Sequence, residues 1–291
     1  MGGHKLYMVN ASSCSLYAIQ ARESPWAVIF RRGPSRFVQL IRWHTETDEF
    51  DHGQWLKHKV FERQADLSPS GDKLICMSTY YRKADRELDR HLGPLLIVSR
   101  PPYFSAAAII NVSESQDSGY FQSAKMILIP QTACVAFPPS SKSKNVTQFG
   151  FMPNGKTSSE IDALKLAGWH LKFLHKQIRF CFPLVAHKAF LDHSNYQLQM
   201  EALSKQPNTN HRRYTLINTE TGEEAILGDF SWADIDKNND LLFAKDGQLF
   251  RLKPQWSATA PFDLVQAKLL YDFRPSQFTE LEAPSWATEW D

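Results

Sequence analysis

Residues 65–75 read ADLSPSGDKLI, and residues 233–243 read ADIDKNNDLLF. The two stretches align without a gap at an offset of 168 residues, and each has an aspartate among apolar residues, a polar turn, a second aspartate and the start of an apolar strand. A second echo, Ser231-Trp232-Ala233 and Ser285-Trp286-Ala287, has an offset of 54 residues. Both offsets fit one period of about 55 residues, which is the length of a four-stranded β-propeller blade.

The period places equivalent strands near residues 65, 121, 177, 233 and 287. The two middle positions read GYFQSAKMILI and QIRFCFPLV, which are typical of strands, although neither carries the aspartate turn. The last full unit is clearest, with SWADID, DLLFAKD, GQLFRLK and AKLLYDF as successive strands joined by short polar links. We therefore predict an all-β fold, a single β-propeller over residues 1–291 with five four-stranded blades. The stretch 138–160, rich in Pro, Ser, Asn and Lys, is expected to be a long exposed loop.

The two ends of the chain suggest how such a ring closes. The N-terminal region supplies the strand-like segments WAVIFRRG, RFVQLIRW and QWLKHKV but no recognised inner strand. The C-terminal segment FTELEAPSWATEW reads as a strand without a blade. We predict that this last strand, within residues 278–291, pairs with the N-terminal blade, because an open sheet edge leaves backbone groups unpaired.

The turn in ADLSPSGDKLICM resembles the inner-strand turn of WD40-like and TolB-type propellers, in which Ser-Pro-Asp-Gly precedes an apolar strand. Ser70 stands where those proteins usually have Asp, and the second copy, DKNND, lacks both Pro and Gly. The Trp-Asp dipeptide of WD repeats closes no blade here, since its one instance is Trp290-Asp291. The resemblance covers about two blades, and it implies a propeller without implying any catalytic residue.

Charge and composition exclude some classes of function. Lys and Arg number 33 against 31 Asp and Glu, so a net charge of +2 provides no broad field for binding nucleic acid or anionic lipid. The sequence contains no run of about 18 apolar residues, so no membrane span is predicted. The first residues lack the apolar core of a signal peptide, and the four cysteines form no CxxC pair and are expected to be buried free thiols. We therefore expect a cytoplasmic monomer.

One stretch matches a phosphate-binding motif. Residues 150–157 satisfy G-x-x-x-x-G-K-[ST] through Gly150, Gly155, Lys156 and Thr157. That chemistry needs a buried strand before the loop and a helix after it, so that backbone amides and the lysine converge on phosphates. The preceding SSKSKNVTQF is a poor buried strand, although SSEIDALKLAG after it predicts a short helix. A flexible loop is the favoured interpretation, nucleotide binding is a weak alternative, and no cofactor is expected.

The remaining candidates lie at the expected channel and on the expected surface. Asp66 and Asp234 occupy matching places on inner strands and could line the central channel, as paired carboxylates do in glycosidase propellers. A residue repeated in this way is more often a structural partner of the strand or turn. The histidines show no zinc-site spacing, so no metal site is expected. No catalytic set emerges.

A charged stretch, residues 80–91, opens with Tyr80, Tyr81 and Arg82, the residue types that dominate protein-binding hot spots. Because binding residues usually lie on loops of a rigid scaffold, the first hypothesis is a protein-interaction scaffold whose protein partner binds these loops. The alternative is an enzyme or small-ligand binder, hydrolase-like if catalytic, that uses the central channel.

Overall fold

The computed structural model describes residues 14–33, 37–79, 93–113, 118–136, 148–152, 160–172, 184–202, 212–257 and 261–288. Most of these residues belong to strands, which form five separate sheets. Within those ranges, helix is confined to α1 (Glu160–Leu166), α2 (Ser285–Thr288) and one 3₁₀ turn (Leu264–Gln266). The prediction of an all-β fold is confirmed.

The first sheet is antiparallel, and its four strands follow chain order: β1 (Ser15–Gln20), β2 (Trp26–Arg32), β3 (Val38–His44) and β4 (Glu49–Leu56). The strands predicted from WAVIFRRG and RFVQLIRW are confirmed as β2 and β3. QWLKHKV instead spans the end of β4 and the start of the next strand. Sequence reasoning missed β1, although its first residues alternate between half-buried and buried as in a strand with one covered face.

The second and third sheets are interleaved along the chain. The second is antiparallel in the order β11-β8-β7-β6-β5. Its strands are β5 (Lys59–Leu67), β6 (Leu74–Thr79), β7 (Leu95–Ser99), β8 (Ala106–Asn111) and β11 (Cys134–Ala136). The third contains β9 (Tyr120–Ser123), β10 (Met126–Ile129) and β12 (Gln148–Phe151). β12 pairs with β10 in parallel, and it lies inside the stretch 138–160 for which the sequence predicts a loop.

The fourth and fifth sheets are antiparallel meanders. The fourth contains β13 (His170–Lys172), β14 (Leu184–Ala189), β15 (Tyr196–Ala202), β16 (Arg212–Asn218) and β17 (Glu224–Phe230). The fifth contains β18 (Trp232–Ile235), β19 (Leu241–Lys245), β20 (Gln248–Leu252) and β21 (Lys268–Asp272), the four strands predicted for the clearest unit. In the described residues the sheets have four, five, three, five and four strands. The prediction that every sheet has four strands is therefore corrected.

The C-terminal segment does not form the predicted strand. Residues 276–284 pair with no strand, and α2 follows them, so Trp286 lies in a helix whereas Trp232 begins β18. Neither the pairing of residues 278–288 with the N-terminal sheet nor the echo of Trp232 in Trp286 holds in the structure. The physical reason is that β1 pairs with β2 over all six of its residues. It therefore occupies the position beside β2 in the N-terminal sheet that the C-terminal strand was predicted to take.

Apolar side chains fill the spaces between neighbouring sheets. One cluster joins the first and fifth sheets and includes Leu16, Trp43, Trp232, Leu242 and Phe273. Similar clusters join the first sheet to the second, the second to the third, and the fourth to the fifth. Two cysteines, Cys14 and Cys76, are buried free thiols as expected, whereas Cys134 is exposed.

Candidate functional site

The two related turns of the sequence connect equivalent pairs of strands. Residues 68–73 join β5 to β6, and residues 236–240 join β18 to β19. In the first turn, Ser68 Oγ accepts hydrogen bonds from the backbone amides of the two residues that end the turn, at 3.1 and 3.0 Å. In the second, Asp236 Oδ1 accepts from two amides of its own turn, at 2.8 and 2.9 Å. One side-chain oxygen at the same place in the repeat therefore organises each turn.

A cavity of about 50 Å³ lies among the first, second, fourth and fifth sheets. Its lining comes from β1, β5, β15, β16, β18 and the helix α1 with the residues that follow it. Asp66 on β5 and Asp234 on β18, the two candidate channel residues, both line this cavity. The repeat thus brings two carboxylates to the same cavity from sheets that are far apart in the chain.

Asp66 links three sheets. Its Oδ1 lies 3.0 Å from Arg22 Nη1, which follows β1, and its Oδ2 accepts a hydrogen bond of 2.7 Å from the backbone amide of Phe121 in β9. Arg22 also donates to the carbonyl of Phe121 at 2.6 Å. Burial raises the pKa of Asp66 to about 6, although Arg22 and the Phe121 amide act in the opposite direction. The carboxyl therefore joins the first, second and third sheets.

Asp234 links another set of three sheets. Lys188 at the end of β14 donates to its Oδ1 at 2.7 Å, and Gln20 at the end of β1 donates to its Oδ2 at 3.1 Å. Oδ1 also accepts a hydrogen bond from the backbone amide of Ile235 at 2.8 Å. This carboxylate joins the first, fourth and fifth sheets, so the two repeated aspartates together connect all five.

The cavity is small, and each of its two carboxylates is paired with a cation. Ligand pockets usually measure roughly 300–1,000 Å³, and one water occupies about 30 Å³. Both oxygens of each aspartate accept hydrogen bonds from donors of the protein, which hold each carboxylate in place. Leu164, Ala167 and Trp169 close part of the wall with apolar surface. The geometry fits a structural centre that holds at most a few waters.

The phosphate-binding motif meets its structural requirement only in part. Gly150 lies in β12, an edge strand whose terminal residues, Gln148 and Phe151, are exposed, so the buried strand is missing. A Cβ on Gly150 would lie 2.9 Å from the end of the Leu128 side chain, so the glycine packs closely against β10. The predicted helix is confirmed as α1. Gly155, Lys156 and Thr157 lie outside the described residues, and nucleotide binding stays a prediction.

The remaining candidates are the expected partner loop and the histidines. Tyr80, Tyr81 and Arg82 lie outside the described residues, so their role as a partner face stays a prediction. His170 and His187 are direct cross-strand neighbours, with ring centroids 5.8 Å apart. Within the described ranges, no group of three or more His, Cys, Asp or Glu side chains could hold a metal ion.

Sequence reasoning missed a charge cluster between the first and fifth sheets. Arg251 Nη1 donates to Asp236 and, at 2.9 Å, to Asp240, both in the second turn. Its Nη2 donates to Asp48 at 2.9 Å and to the carbonyl of Thr45 at 2.5 Å, in the turn between β3 and β4. Burial raises the pKa of Asp240, while Arg251 opposes that shift. The aspartates in DKNND were the one sign of this cluster in the sequence, and no residue near them in the chain indicated that Arg251 is their partner.

The C-terminal residues 276–288, which we call the strap, lie across the first and second sheets. The ring of Phe278 is 4.6 Å from that of Phe37, and the ring of Trp286 is 5.6 Å from that of Tyr103. Gln54 Nε2 donates to the carbonyl of Leu281 at 2.9 Å. Phe278, Leu281 and Trp286 nevertheless remain 53%, 41% and 49% exposed. The strap therefore leaves three large apolar side chains accessible on the outside of the molecule, a set that we call the strip.

Comparison with known proteins identifies no family. No protein-family model matches the chain, and no curated protein matches its sequence. Among the described residues, no helix is long and apolar enough to cross a membrane.

Some solved structures are similar at a low level. The apo form of the isopeptidase AtxE2 is 8% identical with a TM-score of 0.37, over 92% of this chain and 53% of that one. An oligogalacturonate lyase from Vibrio parahaemolyticus is 8% identical with a TM-score of 0.25, over 88% of this chain and 65% of that one. An oligogalacturonate lyase in complex with manganese is 11% identical with a TM-score of 0.18, over 77% and 58%. The chain spans about half to two thirds of these proteins, and scores this low establish neither a shared fold nor a shared activity.

Proposed function

We propose that the five sheets are the blades of one β-propeller and that the propeller serves as a scaffold for binding a protein partner. The apolar clusters between successive sheets support the ring, as do the contacts of α1 with β5 and β13. The ring closes where the first and fifth sheets pack face to face around Trp43 and Trp232 and share the Arg251 cluster. Closure of this kind needs no strand exchanged between the two ends of the chain.

The observation that carries the binding role is the exposed strip of Phe278, Leu281 and Trp286. Single exposed apolar side chains are normal on a protein surface, but contiguous apolar patches mark sites of interaction. The strip continues onto Trp55, whose ring lies 6.2 Å from that of Phe278. Tryptophan and other aromatic residues dominate the energetics of protein interfaces. A rigid ring with such a strip on its outside is suited to hold a partner.

An enzyme acting in the centre is less well supported. A carboxyl with its pKa raised to about 6 in a cavity, as for Asp66, is a feature of general acids and bases. Asp66 is nevertheless held by Arg22 and by the Phe121 amide, in a cavity of about 50 Å³. The raised pKa follows from burial at the junction of three sheets and requires no substrate.

The scaffold role is tested by cross-linking in an extract of the native source, followed by mass spectrometry. We expect a protein partner whose cross-links map to residues beside the strip, including Lys57 and Glu280. Replacing Phe278 and Trp286 with Ser should abolish capture, whereas Val265→Ser, at a residue 92% exposed elsewhere, should not. A chain that migrates alone in the extract, or whose capture is unchanged by the double substitution, contradicts this role for the strip.

A further inference from the structure

Two histidines lie side by side on one face of the fourth sheet. His170 in β13 and His187 in β14 are directly opposite each other in the antiparallel register. Their rings stack, with centroids 5.8 Å apart and planes inclined at 26°. Residues opposite each other in an antiparallel pair point to the same face of the sheet. The register therefore brings together two imidazoles whose spacing along the chain matches no metal-binding motif.

The strand that carries His170 is fixed by the helix before it. Gly168, with a positive φ of 85°, turns the chain from the end of α1 into β13. The backbone amides of Gly168 and Trp169 donate to carbonyls in the last turn of α1, at 3.0 and 2.9 Å. Trp169 is buried in the core between the fourth and fifth sheets. Because His170 follows this anchor directly, its backbone is positioned before any ligand binds.

Solvent reaches both imidazoles. In the described part of the chain β13 is an edge strand of the fourth sheet, and His170 is exposed while His187 is half-buried. On its other side His187 lies opposite Gln199 of β15, which carries no charge. Lys172 is exposed on the same face, two residues after His170, and solvent screens its repulsion of a cation. The pair is therefore accessible to an ion, and Lys172 lowers the affinity without blocking it.

Two neutral imidazoles suit a divalent transition metal ion. Zn–N bonds of about 2.0–2.1 Å place two coordinated nitrogens about 3.3 Å apart in a tetrahedral site. Rings with centroids 5.8 Å apart can reach this arrangement by rotation about χ2, which has a broad energy minimum in histidine. Imidazole favours zinc and similar transition metals, whereas Mg²⁺ and Ca²⁺ require oxygen ligands.

We propose that His170 and His187 together bind one divalent transition metal ion of the zinc class, which joins β13 to β14. Water completes the coordination, since no third His, Cys, Asp or Glu side chain joins the pair within the described ranges. An ion bound in this way keeps open coordination positions, unlike the ion of a closed structural zinc site. The proposal is independent of the scaffold function, because it involves another surface and a different kind of ligand.

The test is calorimetric titration of the full chain, freed of metal with EDTA, with ZnCl₂ at pH 7.5. We expect His170→Asn and His187→Asn each to weaken zinc binding at this site at least about tenfold. His44→Asn, in the first sheet, is the matched control and should bind zinc as the wild type does. Lys172→Gln should tighten binding, because it removes a like charge. MgCl₂ should give no binding in any of these chains.

A melting series gives a second measurement. Zinc should raise the melting temperature of the wild type and of His44→Asn, because an ion that binds only the folded chain stabilises it. The two variants of the pair should melt as the wild type does without zinc and should gain little when zinc is added. Unchanged zinc affinity in either variant would mean that the ion is not shared by the two imidazoles, and would overturn the proposal.

Two further results are decisive. Equal zinc binding by a chain that lacks both histidines would identify an adventitious ion only, and would reject the site. If a variant does not fold, nitrogen-15 spectra of the wild type replace it: the ring nitrogen signals of His170 and His187 should shift together as zinc is added. A shift of one ring, or of neither, would overturn the proposal.

Discussion

In both related turns of this chain a side-chain oxygen binds backbone amides of the turn, but the aspartates of the two turns have different long-range partners. In the first, Asp72 is bound by its own neighbours Ser68, Ser70 and Lys73, and these bonds lower its pKa to about 2 despite partial burial. In the second, Asp236 and Asp240 bind Arg251, which reaches Asp48 in the first sheet. The comparison teaches that the aspartates of a repeated turn can bind only within their own turn in one copy and join two sheets in the other, although the backbone of the first turn also accepts hydrogen bonds from Glu23 and Ser24.

The largest effect expected from this difference is at Arg251. Replacing it with Met leaves Asp48, Asp236 and Asp240 near one another without their shared cation. Removing one partner of a buried ion cluster costs about 3–5 kcal/mol, and we expect a loss of unfolding free energy of about 4 kcal/mol in urea titration at pH 7. Arg274→Met, which breaks a pair with Asp272 at the surface, should cost much less, because exposed ion pairs are screened by solvent. Equal losses for the two variants would show that the second turn is no junction.

The next effect compares the two repeated aspartates through their cations. Arg22→Met leaves Asp66 buried with only backbone amide bonds, and we expect a loss of about 3 kcal/mol at pH 7. Lys188→Met leaves Asp234 with Gln20 as a remaining partner, and about 1–2 kcal/mol is expected. Thermal or urea unfolding of both variants gives the ranking. A larger loss for Lys188→Met would mean that Asp234, and not Asp66, is the carboxyl that depends more on its cation.

A pH effect sharpens the same comparison. The pKa of Asp66 is raised to about 6, so between about pH 4 and pH 6 the folded chain binds more protons here than the unfolded chain does. Unfolding free energy from this group is therefore greatest below pH 4 and falls as pH rises through 6, by at most about 3 kcal/mol. The wild type and Asp66→Asn, compared by urea unfolding from pH 4 to 7, should differ in slope. Parallel curves would rule out this titration.

The smallest expected effect is within the first turn. Ser68→Ala removes the acceptor for two backbone amides and the donor to Asp72, in a residue with no exposed surface. A loss of about 1–2 kcal/mol is expected, as for unsatisfied buried hydrogen-bonding groups. The matched change Ser70→Ala, at an exposed residue, should cost less than about 0.5 kcal/mol. A negligible effect at Ser68 would mean that the turn is organised by its backbone alone.

Sequence reasoning was most successful where the signal was local. The alternating apolar residues and short polar links of residues 231–273 predicted four strands, and these are β18 to β21 in that order. It failed at β1 because SLYAIQ is short and follows residues without a clear pattern. It failed at the tail because the repeat of Ser-Trp-Ala implied a strand that α2 replaces.

The candidate site was predictable in only one respect. The repeat indicated that Asp66 and Asp234 occupy matching places, and both line the same cavity. Their partners could not be predicted, because Arg22 and Lys188 lie 44 and 46 residues away in the chain, at places without any motif. The contact between the strap and the first sheet could not be predicted from the sequence either, since Gln54 and Leu281 are separated by 227 residues.

By itself, the sequence determined the all-β class, the turn chemistry and the strands of the fifth sheet, since strand alternation and turn hydrogen bonds depend on residues close together in the chain. Only the tertiary structure decided that two carboxylates connect five sheets, that Arg251 bridges the first and last of them, and that the tail packs on the first and second sheets. These features depend on how whole sheets pack, and buried charges acquire their roles from partners that packing brings together. Asp48 and Arg251, 203 residues apart, meet only once the sheets have assembled.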